Sequence, residues 1–273
     1  MFGLQYAKKF HNFAISSFKE NNHSQSRASM DPNVIPHVSI DCVVLGYDLD
    51  DLNVLLIERK MVYQGTEYLD FKLPGDLVRW DEDIDASAHR ILQDLTGLRN
   101  VYLKQMQAFG EVNRLKREPR DLEWLRSIDH PEERVITIAY FALLNLDQIK
   151  SQDYIPTPNA RWIPVKSVPV LAFDHNRIIE KAVEILRNEI KRNPVAFELL
   201  PKKFTLTQLQ KLYEVILGTN FDKRNFRKKI AQISCVVPIN EKQTNVPHKP
   251  ARYYMFSQDV YEVTRKDSFD FTV

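Results

Sequence analysis

The chain has 273 residues, of which 44% are hydrophobic and 27% are charged. This composition is ordinary for a globular protein and allows one large domain plus a small one. No apolar run approaches the roughly 20 residues that span a bilayer, and Cys42 and Cys235 are too few and too far apart for a disulfide framework or a zinc site. We therefore expect a cytoplasmic protein with no membrane partner, and no pattern indicates a bound metal or cofactor.

The N-terminal segment, residues 1–33, contains the polar run ENNHSQSR beside a short apolar patch, FHNFAISSF. A signal peptide would need a longer apolar core and a small-residue cleavage site. We expect a disordered or loosely helical arm, with Met30 as an alternative start of the protein.

Two stretches rich in β-branched residues follow, VSIDCVVLGYD and LNVLLIERK, separated by an acidic turn from Asp48 to Asp51. They predict a β-hairpin. Farther along the chain, RVITIAYFALLNL and ARWIPVKSVP predict two more strands, and a helix is expected from about Asn176 to Lys191.

Between the hairpin and the later strands lies PGDLVRWDEDIDASAHRILQDLTGL, from Pro74 to Leu98. It resembles the signature of Nudix hydrolases, G-x5-E-x7-R-E-U-x-E-E-x-G-U, in which U is a bulky apolar residue. Asp76 falls where the signature has its first glycine, directly after Gly75. The other corresponding positions are Glu82, Arg90, Ile91, Asp94, Leu95 and Gly97. A short motif can also match by chance on an ordinary loop and amphipathic helix.

The resemblance implies a catalytically degenerate motif. In the family, helix carboxylates hold divalent cations on a diphosphate, and hard cations need several oxygen ligands. Here those positions carry Ile91, Asp94 and Leu95, and two of these side chains cannot bind Mg²⁺. We expect diphosphate hydrolysis to be lost or severely reduced, with no catalytic residue and no metal.

The order of strands, turn, helix, strands and a last helix resembles a whole Nudix domain. We therefore expect an α+β protein whose residues 34–193 form a Nudix-like α/β/α sandwich with a mixed sheet. The stretch around residues 113–134 is longer than the connection expected between those strands, and it could line a cleft, contact a second copy or lie exposed.

A second domain is predicted for residues 194–273, because Pro194 disfavours continuation of the preceding helix. From Leu200 to the end there are 13 Lys and Arg against 7 Asp and Glu, whereas the remainder has 25 against 29. A basic module beside a near-neutral one indicates a polyanionic partner.

Two helices joined by a short turn are predicted in this module. Thr205 is a candidate N-cap for the first helix, Gly218 ends it, and Asp222 caps the second. Phe226, Ile230 and Ile233 recur at helical spacing on one face of the second helix. A helix, a short turn and a second helix are typical of a helix-turn-helix DNA-binding motif.

Basic and polar side chains lie opposite that apolar face. Arginine can hydrogen-bond to guanine edges, asparagine can hydrogen-bond to adenine, and lysine can bind phosphates. A solvated basic helix without function is the competing interpretation. Two strands, CVVPI and ARYYMF, follow and predict the wing of a winged helix. The predicted DNA-binding residues are Thr205, Lys223, Arg224, Asn225, Arg227, Lys228, Lys249 and Arg252.

With this wing, the chain resembles the Nudix-related transcriptional regulators, which join a Nudix-like sensor to a C-terminal winged helix. The resemblance implies a homodimer on palindromic double-stranded DNA operators, whose DNA affinity changes when a small molecule binds the sensor. One branch of the family controls NAD metabolism and a Bacteroidetes branch controls the use of pentoses and related sugars. We place the chain in the sugar-responsive branch, as a repressor of a sugar-utilisation operon.

A sugar is favoured over ADP-ribose because Asp76 puts an anionic side chain beside the place of a diphosphate, which is unfavourable unless a cation bridges them. The candidate effector-binding residues, chosen because they can hydrogen-bond hydroxyl groups, are Asp41, Lys72, Asp76, Glu111 and His175. Each also has a purely structural interpretation, such as holding a turn or starting the last helix.

Two alternatives from other classes remain. The first is a residual Mg²⁺-dependent Nudix hydrolase of ADP-ribose or a related compound, using Glu82, Asp94 and Glu111. The second is a non-catalytic protein-interaction module, in which the basic helix would be a docking surface.

Overall fold

The computed structural model of the protein describes residues 33–63, 65–115, 121, 134–150, 154–244, 246–247 and 249–264. Almost all of the predicted N-terminal arm, residues 1–32, lies outside the described residues. So does most of the long stretch around residues 113–134.

The N-terminal part is built on a seven-stranded mixed sheet. Its strands are β1 (Val34–Tyr47), β2 (Leu52–Tyr63), β3 (Thr66–Lys72), β4 (Gly75–Arg79), β5 (Lys104–Phe109), β6 (Ile136–Asn145) and β7 (Ala160–Pro164). The central order is β3-β2-β1-β6-β5, while β4 also pairs with β1 and β7 with β2. Strands β1 and β6 run parallel and the other pairs are antiparallel, so the predicted mixed sheet is confirmed.

Helices cover both faces of this sheet. They are α1 (Ile84–Thr96), the short α2 (Leu146–Lys150) and α3 (His175–Arg192), with short 3₁₀ segments at Val165–Ser167 and Pro194–Leu199. Successive residues of β1 point to opposite faces. Cys42 packs in one cluster with Ile91 of α1, and Val43 packs in another with Ala182 of α3. The α/β/α sandwich is therefore present, and α3 matches the predicted last helix.

The C-terminal part is a small winged helix. It consists of β8 (Phe204–Thr205), α4 (Leu206–Leu217), α5 (Lys223–Ile230), β9 (Val236–Lys242), β10 (Arg252–Phe256) and α6 (Gln258–Thr264). Its three strands pair in the order β8-β10-β9. One detail of the prediction is wrong: α5 ends at Ile230, and Ile233 lies in the following turn, where it still packs against the core.

The hydrophobic core continues from the sheet into the winged helix. Leu45 of β1, Leu186 of α3, Leu209 of α4 and Phe226 of α5 belong to one cluster, and each is almost fully buried. The predicted division after residue 193 falls between the end of α3 and the Pro194–Leu199 turn, and it stays a prediction. None of the described helices is long and apolar enough to cross a membrane.

Candidate effector and DNA-binding sites

Local capping fixes both helices of the winged helix. Thr205 accepts a hydrogen bond from the Gln208 amide, and the Gln208 side chain accepts one from the Thr205 amide, which forms a capping box at the start of α4. Gly218 adopts a left-handed conformation with φ of 68° at its end. Asp222 caps α5 by accepting from the Asn225 amide. Thr205 is only 3% exposed, so we assign it to the fold of α4 and not to DNA contact.

The turn between α4 and α5 is held by two side chains of α4. The Glu214 carboxylate accepts from the Phe221 amide at 2.9 Å, and the Gln210 amide donates to the Phe221 carbonyl at 2.9 Å. Gln210 also donates to Glu214. These contacts set the position at which α5 leaves α4. These contacts were not predicted from the sequence, although Gln210 and Glu214 stand four residues apart on one helix face.

Helix α5 presents a basic surface. Phe226 and Ile230 are 1% and 3% exposed and anchor the helix. The predicted contact residues on the opposite side are all exposed, and they are Lys223, Arg224, Asn225, Arg227 and Lys228. The structure thus brings five of the eight predicted DNA-binding residues onto one helix.

The wing adds further exposed cations. Arg252 of β10 lies opposite Lys242 of β9 in the strand register. Lys249 is exposed in the described part of the connection between these strands. Lys203 is paired with Glu241 at 2.7 Å. The wing therefore carries an ion-paired glutamate near the end of β9 and exposed cations beside its connection.

The Nudix-like motif keeps the glycines that frame it. Gly97 ends α1 with φ of 81°, and Gly75 packs so tightly that an added Cβ would lie 2.8 Å from the Ile40 carbonyl oxygen and collide with the Asp41 carboxylate. Asp76 is exposed, and its carboxylate accepts from the Leu77 amide. These positions serve the turn and the helix end.

The metal-binding positions of the motif do not fit a hard cation. Ile91 is fully buried in the core and Leu95 packs against the same cluster. Asp94 faces solvent, with a carboxylate oxygen 3.9 Å from the Arg90 guanidinium. Within the described parts of the chain, no three His, Cys, Asp or Glu side chains are placed to hold a metal ion. Of the three helix positions, only Asp94 offers a carboxylate, whereas Mg²⁺ needs several oxygen ligands.

Glu82 and Arg90 form a two-point ion pair beside this position. Arg90 donates to both Glu82 oxygens, at 2.8 and 2.6 Å, and also to the Leu77 carbonyl. The Arg90 hydrogen bonds and the Arg79 amide hold the pKa of Glu82 at about 2, below its ordinary value. The pair ties the middle of α1 to the turn before the helix and to β4.

We expect Glu82→Gln to lower the free energy of unfolding by about 1–2 kcal/mol at neutral pH. A carboxylate whose pKa is lowered on folding stabilises the fold above its unfolded pKa, and this stabilisation is lost as the pH falls from 4.5 to about 2. Urea unfolding of wild type and variant should therefore show a difference at pH 7 that shrinks by pH 3. Glu180→Gln, at an exposed position of α3, is the control, and a difference independent of pH would contradict this role.

A buried charged cluster lies between β1 and the start of α3. Arg114, 1% exposed, donates to both Asp174 oxygens at 2.8 and 3.2 Å and to Asp41 at 3.3 Å. Nε2 of His175 is 3.5 Å from the other Asp41 oxygen. Two carboxylates thus share one guanidinium inside the protein, which is tolerable only because every charge has a partner.

His175 is neutral in this cluster. Burial lowers its pKa to about 4, outweighing the opposing effect of Asp41. Its Nδ1 accepts from the Leu73 amide at 3.0 Å. Burial also lowers the pKa of the Lys72 ammonium, which donates to the Gly75 carbonyl at 2.8 Å and lies within electrostatic reach of Asp41 and Asp76.

The structure separates the five predicted effector residues. Asp41 and His175 are buried together, with Lys72 beside them, whereas Asp76 is exposed on β4. Glu111 is exposed and paired with Arg177 of α3. Arg114, which organises the cluster, was not predicted from the sequence, because it stands in a run of charged residues that gives no sign of burial.

Known proteins that are similar to this chain indicate its family. The model of the NrtR DNA-binding winged helix domain matches residues 196–256. A protein of Acinetobacter baylyi (strain ATCC 33305 / BD413 / ADP1), the ADPR responsive transcriptional repressor NtrR, is 31% identical over 231 residues, which are 83% of this chain and 84% of that protein. The chain belongs to the NrtR-type family of Nudix-related regulators.

Solved structures agree with this assignment. The crystal structure of Shewanella oneidensis NrtR in complex with a 27mer DNA is 26% identical with a TM-score of 0.60, and the match covers 82% of this chain and 95% of that one. A MutT/nudix family protein from Enterococcus faecalis, 20% identical with a TM-score of 0.56 over 93% and 94% of the two chains, shares the fold. The predicted Nudix-like domain with a C-terminal winged helix is confirmed. Placement in the sugar-responsive branch has no support among these NrtR-type relatives.

Proposed function

We propose that this NrtR-type protein is a transcriptional repressor that binds operator DNA through α5 and the wing and releases it when its Nudix-like domain binds ADP-ribose. The single observation that carries the proposal is the similarity over 83% of the chain to the A. baylyi repressor, whose name states a response to ADPR. The exposed basic face of α5, held by the Gln210 and Glu214 contacts, supports the DNA-binding half.

ADP-ribose replaces the sugar favoured by the sequence analysis. The objection to a diphosphate was the anionic side chain of Asp76. In the fold, both Lys72 and Arg90 lie within electrostatic reach of that carboxylate. The two cationic side chains offset the negative charge of Asp76. A diphosphate is therefore repelled less strongly from this turn than the sequence alone indicated. Within the predicted effector set, we propose Lys72 and Asp76 as ligand contacts and give the buried Asp41 and His175 a supporting role.

Helix α3 physically links the Nudix-like domain to the winged helix. Its first turn is held by Arg114 through Asp174. Near its other end, Arg187 donates to the Ile216 carbonyl at 2.8 Å, and the Ile190 carbonyl accepts from Tyr213 at 3.3 Å. A ligand that moves the Arg114 cluster would therefore shift the attachment of α4. The ligand controls DNA binding only through a difference in its affinity for the two arrangements.

A homodimer on a palindromic operator completes the proposal. A single winged helix reads a short site, and two copies related by a two-fold axis place their recognition helices about one DNA turn apart, roughly 34–36 Å. Analytical ultracentrifugation of the protein with and without operator DNA tests this stoichiometry, which should be two chains per palindrome.

The hydrolase alternative has little support in the geometry. All three carboxylates assigned to it are engaged with arginines: Glu82 and Asp94 with Arg90, and Glu111 with Arg177. We expect ADP-ribose incubated with the protein and Mg²⁺ to remain intact by chromatography. Metal-dependent turnover that Glu82→Gln abolishes would restore the enzyme interpretation. The protein-interaction alternative predicts no salt-dependent DNA binding.

Fluorescence anisotropy with DNA from the protein's own promoter region tests the proposed function. We expect binding to this DNA to exceed binding to a random duplex at physiological salt, and to weaken when ADP-ribose is added. Arabinose and xylose, as comparison ligands, should leave the affinity unchanged. Release by a pentose and not by ADP-ribose would reverse the ligand assignment, and equal binding to both duplexes would contradict the regulator.

A further inference from the structure

A cavity of about 250 Å³ lies where the sheet, α3 and the Pro194–Leu199 turn meet. Its floor is apolar and comes from Phe141 and Leu143 of β6, Leu186 of α3 and Val195. The volume is slightly below the range of about 300–1,000 Å³ that is usual for drug-sized ligands. The cavity therefore suits a small molecule with an apolar body, and it is separate from the Arg114 cluster.

The rim of this cavity is acidic and aromatic. Glu189 and Glu198 line it together with Lys104 and Tyr102. Glu189 is held in place, because one of its oxygens accepts from the Asn193 amide at 2.8 Å while the other lies 3.8 Å from the Lys104 ammonium. Glu198 is exposed and, among the described residues, has no cationic partner. The lining thus carries one negative charge in excess.

Tyr102 stands at the mouth with 83% of its surface exposed. A large exposed aromatic ring beside an apolar cavity is suited to cover a ligand, and a ring face attracts a cation. We infer that this junction is a second ligand site, which takes a small organic cation with an aromatic or aliphatic body. Its apolar part lies on Leu143 and Leu186, and its ammonium group lies between Glu198 and Tyr102.

Three matched probes separate charge from apolar burial. They are 2-phenylethylamine, 2-phenylethanol and phenylacetate, which have similar bodies and carry a positive charge, no charge and a negative charge. Isothermal titration calorimetry on the full chain without DNA should show the amine binding roughly tenfold more tightly than the alcohol. Phenylacetate should bind most weakly. Equal affinities for the amine and the alcohol would overturn the inference.

Substitutions test whether the amine probe binds in this cavity. Glu198→Gln should weaken amine binding about three- to fivefold and leave the alcohol unaffected, and Tyr102→Ala should weaken both. Both side chains are exposed, so the variants are expected to fold. Glu180→Gln and Val263→Ala, at exposed positions elsewhere, are the controls. Amine affinity that is unchanged by the Glu198 and Tyr102 substitutions would refute the site. Because no DNA is present in this experiment, that result would not contradict the proposed function as a regulator.

Discussion

Replacing Arg114 with alanine should lower the free energy of unfolding by about 3–5 kcal/mol, the usual cost of removing one partner from a buried ion pair. Asp41 and Asp174 are 5% and 2% exposed, and both are bonded to this guanidinium. Without Arg114, two carboxylates would remain in the interior with His175, which is neutral there, as a weak substitute. Urea unfolding followed by tryptophan fluorescence measures the change.

A matched arginine shows whether burial is responsible. Arg177 forms an exposed pair with Glu111, and both side chains are about half exposed. Exposed pairs contribute about 0–1 kcal/mol, so Arg177→Ala should have a small effect. Arg114→Lys, which keeps the charge but loses the two-point contact to Asp174, should fall between them. Equal effects of Arg114→Ala and Arg177→Ala would show that the buried cluster does not stabilise the fold.

Replacing Arg224 and Arg227 together with alanine should produce the largest loss of operator affinity. Each arginine that reads a base edge contributes about 1–3 kcal/mol, and the two changes should be roughly additive. Both side chains are exposed on α5, opposite the buried Phe226 and Ile230, so the fold should be unaffected. Anisotropy titrations with operator and random duplexes measure both affinity and specificity.

The wing and a distant arginine serve as comparisons for these variants. Lys249→Ala should weaken operator and random DNA alike, because a lysine on phosphate carries no sequence information. Arg192 is an exposed arginine at the end of α3. Arg192→Ala should change the two affinities only as much as removing one distant positive charge does. Unchanged operator affinity in the Arg224 and Arg227 variants would refute their role in base recognition.

Much of the fold could be predicted from local patterns. The β1-β2 hairpin, β6, α3 and the two helices of the winged helix follow from hydrophobic periodicity and capping residues. Strands β3 and β5 could not be predicted in this way. Their patterns, TEYLDFK and KQMQAF, are mostly exposed. Strand β3 pairs with β2 directly before it, whereas the pairing of β5 depends on β6, farther along the chain.

The two candidate sites also differ in whether they could be predicted from local sequence. The basic face of α5 is local, because its residues and its buried anchors lie within eight consecutive positions. The charged cluster is not local, since Arg114 is 73 residues from Asp41 and 60 from Asp174. A polar residue in an apolar strand, such as Asp41, looks the same in sequence whether it faces a ligand or a buried arginine. Only the fold shows that Asp41 and His175 are already engaged.

The most direct test of the proposed regulation is whether the Nudix-like domain and the winged helix are thermodynamically coupled. Calorimetric titration of ADP-ribose into the free protein and into the saturated operator complex gives two affinities. If α3 links the domains, operator DNA should weaken ADP-ribose binding by the factor by which ADP-ribose weakens operator binding, typically about 5- to 150-fold. The same ADP-ribose affinity with and without operator would contradict the proposal that this Nudix-like domain controls the winged helix.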